Sequence, residues 1–301
     1  MNKVSIHFLP DNSKEAKKLG KSLGIPVHPI LVHTFPDGES RVRVYPVQGT
    51  VIIYASLNSP NEKLWHLALA ASAFNASGAR RLILVAPYLC YMRQDMEFNS
   101  GEAVSQHVIG AYLSNYFDRL ITVDPHLHRT DDLQCLFTNC KADTLSAMDV
   151  ISEEISKDPD NNNVLLVGPD SESRQWVGAI ANKLGVPFLI GEKVRDGDRQ
   201  VRITFTGQEG PAPEEISAKH VIIIDDVISS GMTIRCCAET LKQAGAETIE
   251  VISVHILCSD GDMEMMKAAG VSRLCSTDSI PHPTNRISLT SLLKEALTQE
   301  L

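Results

Sequence analysis

The stretch VIIIDDVISSGMT, residues 221–233, indicates the fold class. It begins with consecutive apolar residues, which suit a strand that is covered on both faces, as in a parallel sheet. Two acids stand where this strand ends, and a short turn rich in hydroxyl groups leads from them into a helical pattern. In open α/β sheets, ligands bind beyond the carboxyl ends of the strands. The stretch therefore predicts a parallel sheet with a ligand site at its edge.

The turn at the end of this stretch has the chemistry of a phosphate site. The helix that follows it offers unpaired N–H groups and a partial positive charge to a phosphate. Ser229, Ser230 and Thr233 add hydroxyl donors, while Met232 contributes its backbone amide. Gly231 lets the backbone approach a ligand closely. We expect these residues to bind a phosphate group.

Asp225 and Asp226, directly before the turn, predict a second contact with the same ligand. Carboxylates at a strand end can accept hydrogen bonds from neighbouring sugar hydroxyls, or hold a divalent cation through water. The alternative is a helix cap and a solvated acidic turn that involves no ligand. The combination of apolar strand, acid pair, hydroxyl-rich turn and helix favours a functional site over this alternative, because it is the context that a phosphate motif requires.

Comparable strand patterns occur along the whole chain and alternate with amphipathic, helix-like stretches. The predicted strands are Val4–Leu9, Gly49–Ala55, Arg81–Ala86, Leu120–Val123, Val164–Val167, Val221–Ile224 and Thr248–Ile256. The predicted helices are Ser13–Leu23, Asn61–Ser77, Glu102–Tyr116, Ser173–Leu184 and Thr233–Ala244. Such an alternation is typical of βαβ units. The segment 194–217, rich in Gly, Pro and charge, with a β-like patch at 200–205, is predicted to be irregular and functional, or else a surface hairpin.

The pattern also looks doubled. The order helix end, Gly-Ala and strand occurs at residues 76–88 and again at 243–255. We therefore predict an α/β protein with two similar domains, each a mostly parallel sheet flanked by helices. The domains are placed at residues 1–145 and 146–301.

Composition argues against several classes of protein. The chain has 301 residues, 43% of them hydrophobic, which is usual for a globular protein. Its formal net charge of −9 argues against a nucleic-acid binder and a membrane-surface binder. No apolar run approaches the ~20 residues that span a bilayer, and the start does not resemble a secretory signal. Seven cysteines without a C-x-x-C pair suit reduced thiols, so we expect a cytoplasmic location.

The stretch 221–233 resembles the phosphoribosyl pyrophosphate loop of type I phosphoribosyltransferases and of ribose-phosphate pyrophosphokinases. In these families the acid pair contacts the ribose hydroxyls and the turn binds the 5-phosphate. The resemblance therefore implies ribose 5-phosphate as the ligand of this stretch. It also implies that both domains have a phosphoribosyltransferase-like fold.

FPDGESRVRV, residues 35–44, resembles a segment found in the pyrophosphokinases. In that family the segment reaches an ATP base in a neighbouring subunit. The resemblance implies that Phe35, Asp37 and Glu39 contact adenine and that the protein is a homo-oligomer. Without the resemblance, the segment predicts only a β-turn, which is a common feature.

APYLCYMRQD, residues 86–95, resembles the pyrophosphokinase pattern of Pro-Tyr, four variable residues and Arg-Gln-Asp. Arg93 offers a planar fork of donors to a nucleotide phosphate or base. Gln94 can satisfy a purine edge, and Asp95 can orient Arg93. The resemblance implies that these residues bind ATP. The alternative is a surface ion pair of Arg93 with Asp95, worth less than ~1 kcal/mol.

Two further strand ends imply contacts with nucleotide phosphates and magnesium. LITVDPHLHRTD, residues 120–131, puts His126 where the family has a histidine beside the phosphates and the metal; His128 is the weaker candidate. LLVGPDSESRQWV, residues 165–177, resembles the family's Pro-Asp turn, so Asp170 is expected to hold Mg²⁺ through water. The relatives continue with Gly after this Asp, whereas this chain has Ser-Glu-Ser. A zinc site at the two histidines lacks a third ligand at a suitable spacing.

GEKVR, residues 191–195, occupies the position of the family's catalytic Lys-x-Arg at the start of a mobile loop. The resemblance implies that Lys193 and Arg195 neutralise charge that develops on the transferred diphosphate and on the leaving phosphate. The alternative is a solvated basic turn without a catalytic role.

These motifs identify the chain as a divergent member of the ribose-phosphate pyrophosphokinase family. The resemblance implies transfer of the diphosphate of ATP to the anomeric hydroxyl of ribose 5-phosphate, with Mg²⁺ as the cofactor. The products are phosphoribosyl pyrophosphate and AMP. Three alternatives stay open: a type I phosphoribosyltransferase, which needs no ATP, a non-catalytic regulatory homologue, and a related kinase that acts on another sugar phosphate.

Overall fold

The computed structural model describes residues 3–157, 163–196, 200–205 and 216–301. The chain divides into two compact units. Unit 1 contains Met1–Ser146, Ser279–Pro281 and Leu289–Leu301, and unit 2 contains Ala147–Asp278 and His282–Ser288. The predicted domains of residues 1–145 and 146–301 differ from this division at the carboxyl terminus, because the last residues of the chain pack in unit 1.

Unit 1 is built on a parallel sheet of six strands. Its elements are β1 (Lys3–Phe8), α1 (Ser13–Leu23), β2 (Val27–Pro29), β3 (Leu31–Thr34), β4 (Ser40–Arg43), β5 (Gly49–Tyr54), α2 (Pro60–Ala76), β6 (Arg81–Val85), α3 (Ser105–Ser114), β7 (Arg119–Val123) and β8 (Lys141–Leu145). The strand order is β2-β1-β5-β6-β7-β8, and all neighbours in it are parallel. β3 and β4 form a separate antiparallel hairpin.

Continuous apolar runs explain why the central strands of unit 1 lie inside the protein. Every residue of β5 and β7 is buried, as is all of β6 after its first residue. A strand covered on both faces gains from the burial of every side chain. The first helix has the predicted bounds, and it ends at Gly24, which adopts a φ of 71°. This left-handed ending is the one that glycine makes without strain.

Unit 2 repeats this plan. Its elements are α4 (Met148–Ile155), β9 (Val164–Gly168), α5 (Arg174–Leu184), β10 (Phe188–Ile190), β11 (Glu192–Asp196), β12 (Gln200–Thr204), β13 (His220–Ile228), α6 (Met232–Gln243), β14 (Thr248–Ile256), α7 (Asp260–Ala268), β15 (Arg273–Thr277) and β16 (Asn285–Ile287). The order β10-β9-β13-β14-β15-β16 is again parallel throughout, and β11 with β12 forms the hairpin. The predicted fold class, an α/β protein with two similar parallel-sheet halves, is confirmed.

The last helix, α8 (Thr290–Leu297), belongs to unit 1 because its apolar face is buried there. Leu293 and Leu297 are fully buried, and the helix packs against α1. Beyond the helix, Oε1 of Glu300 lies 3.0 Å from Nη1 of Arg119, a side chain that is only 3% exposed. Apolar packing and this buried ion pair hold the carboxyl terminus on unit 1.

The segment predicted to be irregular, residues 194–217, contains part of a regular hairpin. Its predicted β-like patch is β12, which pairs with β11 in an antiparallel register. Ile203 and Phe205 are buried, and the carbonyl of Ile203 accepts a hydrogen bond from the Thr240 hydroxyl of α6 at 3.2 Å. The hairpin is therefore anchored in unit 2 through its second strand. Residues 197–199 and 206–215 lie outside the described residues.

Long apolar helices are absent from the part of the chain that the structure describes. None of its helices has both the length and the hydropathy needed to cross a bilayer.

Candidate active site

Asp225 and Asp226 lie near the carboxyl end of β13, in the middle of the sheet of unit 2. Both are half-buried. The Asp225 carboxylate accepts a hydrogen bond from the backbone N–H of Asp226 at 3.1 Å, and the Asp226 carboxylate accepts one from Val227 at 2.7 Å. Local backbone donors thus orient both carboxylates near the carboxyl ends of the strands, which is the side of the sheet where α/β proteins bind ligands.

The turn after these acids is built around Gly231. Ser229 and Ser230 are exposed, and Gly231 is the N-cap of α6 with a φ of 68°. A Cβ atom at this position would lie 2.8 Å from Sδ of Met266. Both the left-handed backbone and the close packing therefore require glycine. The turn brings two hydroxyl groups to the start of a helix whose first N–H groups have no intrahelical partner.

Asp170 follows β9, the strand next to β13, so it lies at the same edge as the acid pair. Its carboxylate accepts a hydrogen bond from the N–H of Glu172 at 3.2 Å and caps a short 3₁₀ turn over Ser171–Ser173. The Ser173 hydroxyl donates to the Asp170 carbonyl at 2.6 Å. The Ser-Glu-Ser sequence that departs from the family pattern therefore forms a regular capped turn.

Cys237 of α6 is sensitive to the charges around this edge. Burial raises the pKa of its thiol, and the negative charges of Asp225 and Asp170 raise it further. Both carboxylates therefore lie near enough to act on one buried thiol. A thiol with a raised pKa stays protonated, which makes Cys237 a packing residue rather than a nucleophile.

Lys193 and Arg195 belong to β11, and their side chains lie outside the described residues. The strand starts close to the Asp170 turn. The N–H of Gly191 donates to the Gly168 carbonyl at 2.8 Å, and a Cβ at Gly191 would lie 2.7 Å from the carbonyl oxygen of Pro169. The backbone of the predicted catalytic pair therefore begins next to the end of β9.

In unit 1, Phe35, Asp37 and Glu39 lie in the tight turn of the β3–β4 hairpin. The N–H of Phe35 donates to the Glu39 carbonyl at 2.7 Å, and the Asp37 carboxylate accepts from the N–H of Glu39 at 3.1 Å. Gly38 has a φ of 89°. The β-turn predicted here is present. Phe35 is 38% exposed, and the guanidinium carbon of Arg41 lies 5.9 Å from the centroid of its ring.

Arg93, Gln94 and Asp95 follow β6. Arg93 is exposed. The side-chain oxygen of Gln94 accepts from the N–H of Ser105 at the start of α3, so this amide makes contacts within the unit. The Asp95 carboxylate accepts two hydrogen bonds from Nη1 of Arg129, at 2.9 and 3.1 Å. Sequence reasoning missed this partner of Asp95, because the two residues are 34 positions apart.

His126 is half-buried in the loop after β7, and His128 is exposed in the same loop. Because β6 and β7 are parallel neighbours, this loop and the Arg93 loop follow adjacent strand ends. Each loop contains a non-glycine residue in the left-handed region, Tyr91 with a φ of 63° and Asp124 with a φ of 35°. Such conformations cost about 1–3 kcal/mol each and concentrate at functional sites. Arg93, Gln94, Asp95 and His126 thus lie at the carboxyl ends of two neighbouring strands, whereas Phe35, Asp37 and Glu39 lie in the separate β3–β4 hairpin.

Two protein families match the chain, one for each half. The N-terminal domain of ribose phosphate pyrophosphokinase matches residues 4–116, and the phosphoribosyl transferase domain matches residues 142–287. The first range contains the Arg-Gln-Asp motif, and the second contains the acid pair with its turn.

Whole proteins match as well. The ribose-phosphate pyrophosphokinase of Methanopyrus kandleri is 29% identical, over 94% of this chain and 95% of the relative. That of Pyrococcus furiosus is 31% identical, over 88% of this chain and 90% of the relative. The crystal structure of phosphoribosylpyrophosphate synthetase from Mycobacterium smegmatis has the same fold, with a TM-score of 0.84 at 23% identity over 98% of this chain and 97% of that one. The chain belongs to the ribose-phosphate pyrophosphokinase family, as its motifs predicted.

Proposed function

We propose that this protein is a ribose-phosphate diphosphokinase. It transfers the diphosphate of ATP to the anomeric hydroxyl of ribose 5-phosphate, giving phosphoribosyl pyrophosphate and AMP. The observation that carries the proposal is the strand, acid pair, turn and helix of residues 221–233, placed at a sheet edge of unit 2. The relatives named ribose-phosphate pyrophosphokinase cover both halves of the chain, so the nucleotide motifs of unit 1 are part of the same resemblance.

Unit 2 binds the sugar phosphate in this proposal. The first N–H groups of α6 and the hydroxyls of Ser229, Ser230 and Thr233 donate to the 5-phosphate. Asp225 and Asp226 accept hydrogen bonds from the two neighbouring ring hydroxyls, which selects a sugar with an intact diol. The anomeric hydroxyl is left as the nucleophile.

Unit 1 binds the nucleotide. Arg93 and His126 contact the phosphates of ATP, while Gln94 and Asp95 support the binding site. Phe35, Asp37 and Glu39 of a second copy contact the adenine, so we further propose a homo-oligomer. A cytoplasmic location, where ATP and reduced thiols are available, belongs to the same proposal.

The reaction forms one bond and breaks one. The anomeric oxygen attacks the β-phosphorus in line, and the bond from that phosphorus to the oxygen bridging it to the α-phosphate breaks. AMP leaves with the bridging oxygen, and the hydroxyl proton passes to solvent. Lys193 and Arg195 stabilise charge on the transferred group and on the leaving phosphate. Positioning of the two substrates supplies much of the remaining acceleration, and no protein nucleophile is needed.

The residues present fit a magnesium ion that arrives on the nucleotide. Mg²⁺ prefers a carboxylate or two, phosphate oxygens and retained waters. Asp170 offers such a carboxylate, whereas the imidazole of His126 is better suited to contact a magnesium-bound water. Within the described residues, no cluster of three or more His, Cys, Asp or Glu could hold a metal by itself. When bound, the ion neutralises charge on the phosphate oxygens.

Incubation with ATP, Mg²⁺ and ribose 5-phosphate tests the proposal. We expect AMP and phosphoribosyl pyrophosphate in equal amounts, and neither product when the sugar is left out. Release of ADP instead would indicate transfer of a single phosphoryl group and contradict the proposal. Consumption of phosphoribosyl pyrophosphate with a nucleobase, without ATP, would identify a phosphoribosyltransferase. A protein that binds the ligands but turns over neither set would be a non-catalytic homologue.

A further inference from the structure

The ion pair between Arg129 and Asp95 is buried on one side only. The Asp95 side chain is 2% exposed, whereas the Arg129 side chain is 48% exposed. Both hydrogen bonds to the carboxylate come from Nη1. Among the described residues, no other hydrogen bond of this guanidinium is present, so Nε and Nη2 are available to a ligand. A guanidinium held at one corner and open at the others suits the recognition of an anion.

The chain next to Arg129 is also fixed. The Thr130 hydroxyl donates to the side-chain oxygen of Gln106 at 3.0 Å, and Gln106 is fully buried. The N–H of Gln106 donates in turn to the carbonyl of Gln94 at 3.3 Å. The loop after β7 is thus tied to the Arg-Gln-Asp segment after β6 by two adjacent residues. Arg129 is held in place before any ligand arrives, which lowers the entropy lost on binding.

The loops after β6 and β7 contain few positively charged residues, and Arg129 is one of them. Arg119 and Arg129 are the only Lys or Arg residues between Arg93 and Lys141. Arg119 begins β7, at the opposite end of the strand, and it is buried in an ion pair with Asp143 at 2.5 Å. Arg93 and Arg129 are therefore the cations that the loops after β6 and β7 present. A nucleoside triphosphate carries several negative charges, and one arginine among acidic neighbours neutralises few of them.

We propose that Arg129 binds the polyphosphate of the nucleotide in unit 1 and that Asp95 is its positioning residue. The carboxylate of Asp95 fixes one corner of the guanidinium, and the remaining donors of Arg129 contact phosphate oxygens beyond the α-phosphate. The proposal rests on the proposed function for the identity of the nucleotide, ATP. Its chemistry requires only a chain of two or more phosphates.

Calorimetric titration of ATP and of AMP into the full-length protein tests this role without turnover. Replacing Arg129 with Met should weaken ATP binding at least tenfold, since a charge-assisted hydrogen bond is lost. AMP binding should change less than about twofold, because AMP lacks the phosphates in question. Arg80→Met is the matched control, because Arg80 is exposed just before β6, at the opposite end of that strand. Equal weakening of ATP and AMP would indicate a merely structural role and overturn the proposal, as would unchanged ATP binding.

Arg129→Lys keeps a cation opposite the buried carboxylate, so it preserves folding if the Met variant does not. A point charge cannot bind Asp95 and phosphate as a fork does, so ATP binding should weaken severalfold while AMP binding stays the same. Unchanged affinity for ATP in this variant would contradict the proposal that the guanidinium of Arg129 contacts Asp95 and phosphate at the same time.

Asp95→Asn tests the positioning role. Alone, it should weaken ATP binding. In the Arg129→Met background it should weaken binding no further, because Asp95 acts through Arg129. A further loss in the double variant would show that Asp95 acts on the nucleotide directly. If the wild-type protein releases no AMP in the turnover assay but these titrations give the expected pattern, the proposed function fails and the Arg129 site stands.

Discussion

Units 1 and 2 have the same strand order but carry their polar residues on different loops. β13 and β5 are the third strands of their sheets. β13 runs through the acid pair to Ile228, beyond the predicted strand end at Ile224, and then leads into the Ser-Ser-Gly turn. β5 is followed by Ala55 and Ser56, which are both fully buried, and the helix after it begins with Pro60, which has no N–H to donate. The strand after which we propose a phosphate site in unit 2 is therefore followed in unit 1 by buried residues and a proline, which offer no such site.

Unit 1 presents its charges one and two strands further along the sheet, after β6 and β7. Three of the four non-glycine residues with positive φ in the described chain, Ser59, Tyr91 and Asp124, follow β5, β6 and β7 in turn. In unit 2 the corresponding turn uses Gly231 instead. The comparison teaches that the topology provides the sheet edge, while the loop chemistry decides which ligand it binds.

The largest expected effect comes from breaking the unit 2 site. The double substitution Asp225→Asn and Asp226→Asn removes two charged hydrogen-bond acceptors for the ribose hydroxyls, each worth about 1.5–3 kcal/mol. We expect kcat/KM for ribose 5-phosphate to fall about a hundredfold or more, with the KM for ATP within twofold of the wild type. Ser56→Ala, the matching position of unit 1, should leave the KM for ribose 5-phosphate unchanged. Similar losses for both variants would break the comparison between the units.

The second effect concerns pH and unit 1 alone. His7 of β1 is fully buried, with Nε2 3.0 Å from the Ser5 hydroxyl, whereas Val167 of β9 is at the matching position of unit 2. Burial, helped by the charge of His28, lowers the pKa of His7 to about 4. In the unfolded chain His7 becomes protonated below about pH 6.5, whereas in the folded chain it stays neutral down to about pH 4. The free energy of unfolding should therefore fall as the pH drops through this window.

Denaturant unfolding at pH 7 and pH 4.5 measures this contribution. His7→Val, which gives unit 1 the residue of unit 2, should reduce the loss of stability between the two pH values by about 2–3 kcal/mol. An identical pH dependence in the variant and the wild type would contradict the assignment to His7.

The third effect concerns the ion pair between Glu300 and Arg119, which holds the carboxyl terminus of the chain on unit 1. Replacing Glu300 with Ala leaves the buried Arg119 with fewer partners, and should destabilise the protein by about 1–3 kcal/mol. Unfolding of unit 1 should respond, since the ion pair lies within that unit. Glu295→Ala, an exposed change on the preceding helix α8, serves as the control and should cost less than about 0.5 kcal/mol. No difference between the two variants would show that the terminus is not held by this ion pair.

The smallest effect has opposite signs in the two units. Ser59 has a φ of 50° before α2, and Gly231 has a φ of 68° before α6. Ser59→Gly should relieve strain and raise the free energy of unfolding by about 0.5–1 kcal/mol, which would appear as a slightly higher melting temperature. Gly231→Ser should destabilise, because it adds both strain and a contact with Met266. Equal signs would contradict the view that unit 1 stores strain where unit 2 uses glycine.

Local signals account for the parts of the fold that were predicted well. β14 and the first helix have the predicted bounds, because a stretch rich in Ile and Val after Gly245 marks the strand and a stop at Gly24 marks the helix. The helix α7 was missed although it has a local signal, a capping box between Ser259 and Asp262. The short helices α4 and α8 lack such a box and were also missed.

Contacts between distant residues account for what sequence reasoning could not reach. Glu300 and Arg119 are 181 positions apart, so nothing local places the carboxyl terminus on unit 1. The motifs located Arg93, Asp95 and His126, yet the partner of Asp95 depends on two loops that meet only because β6 and β7 are neighbours. The sequence therefore predicted the residue types at the strand ends, but it did not predict which side chains pair with each other.

Hydrogen exchange with one ligand at a time tests the division of labour between the units most directly. Ribose 5-phosphate alone should protect the amides of residues 229–233 and leave those of residues 91–95 and 124–130 unchanged. ATP with Mg²⁺ should protect the second set and leave the first unchanged. Protection of the unit 2 turn by ATP alone, or of the unit 1 loops by ribose 5-phosphate alone, would contradict the assignment of one ligand to each unit.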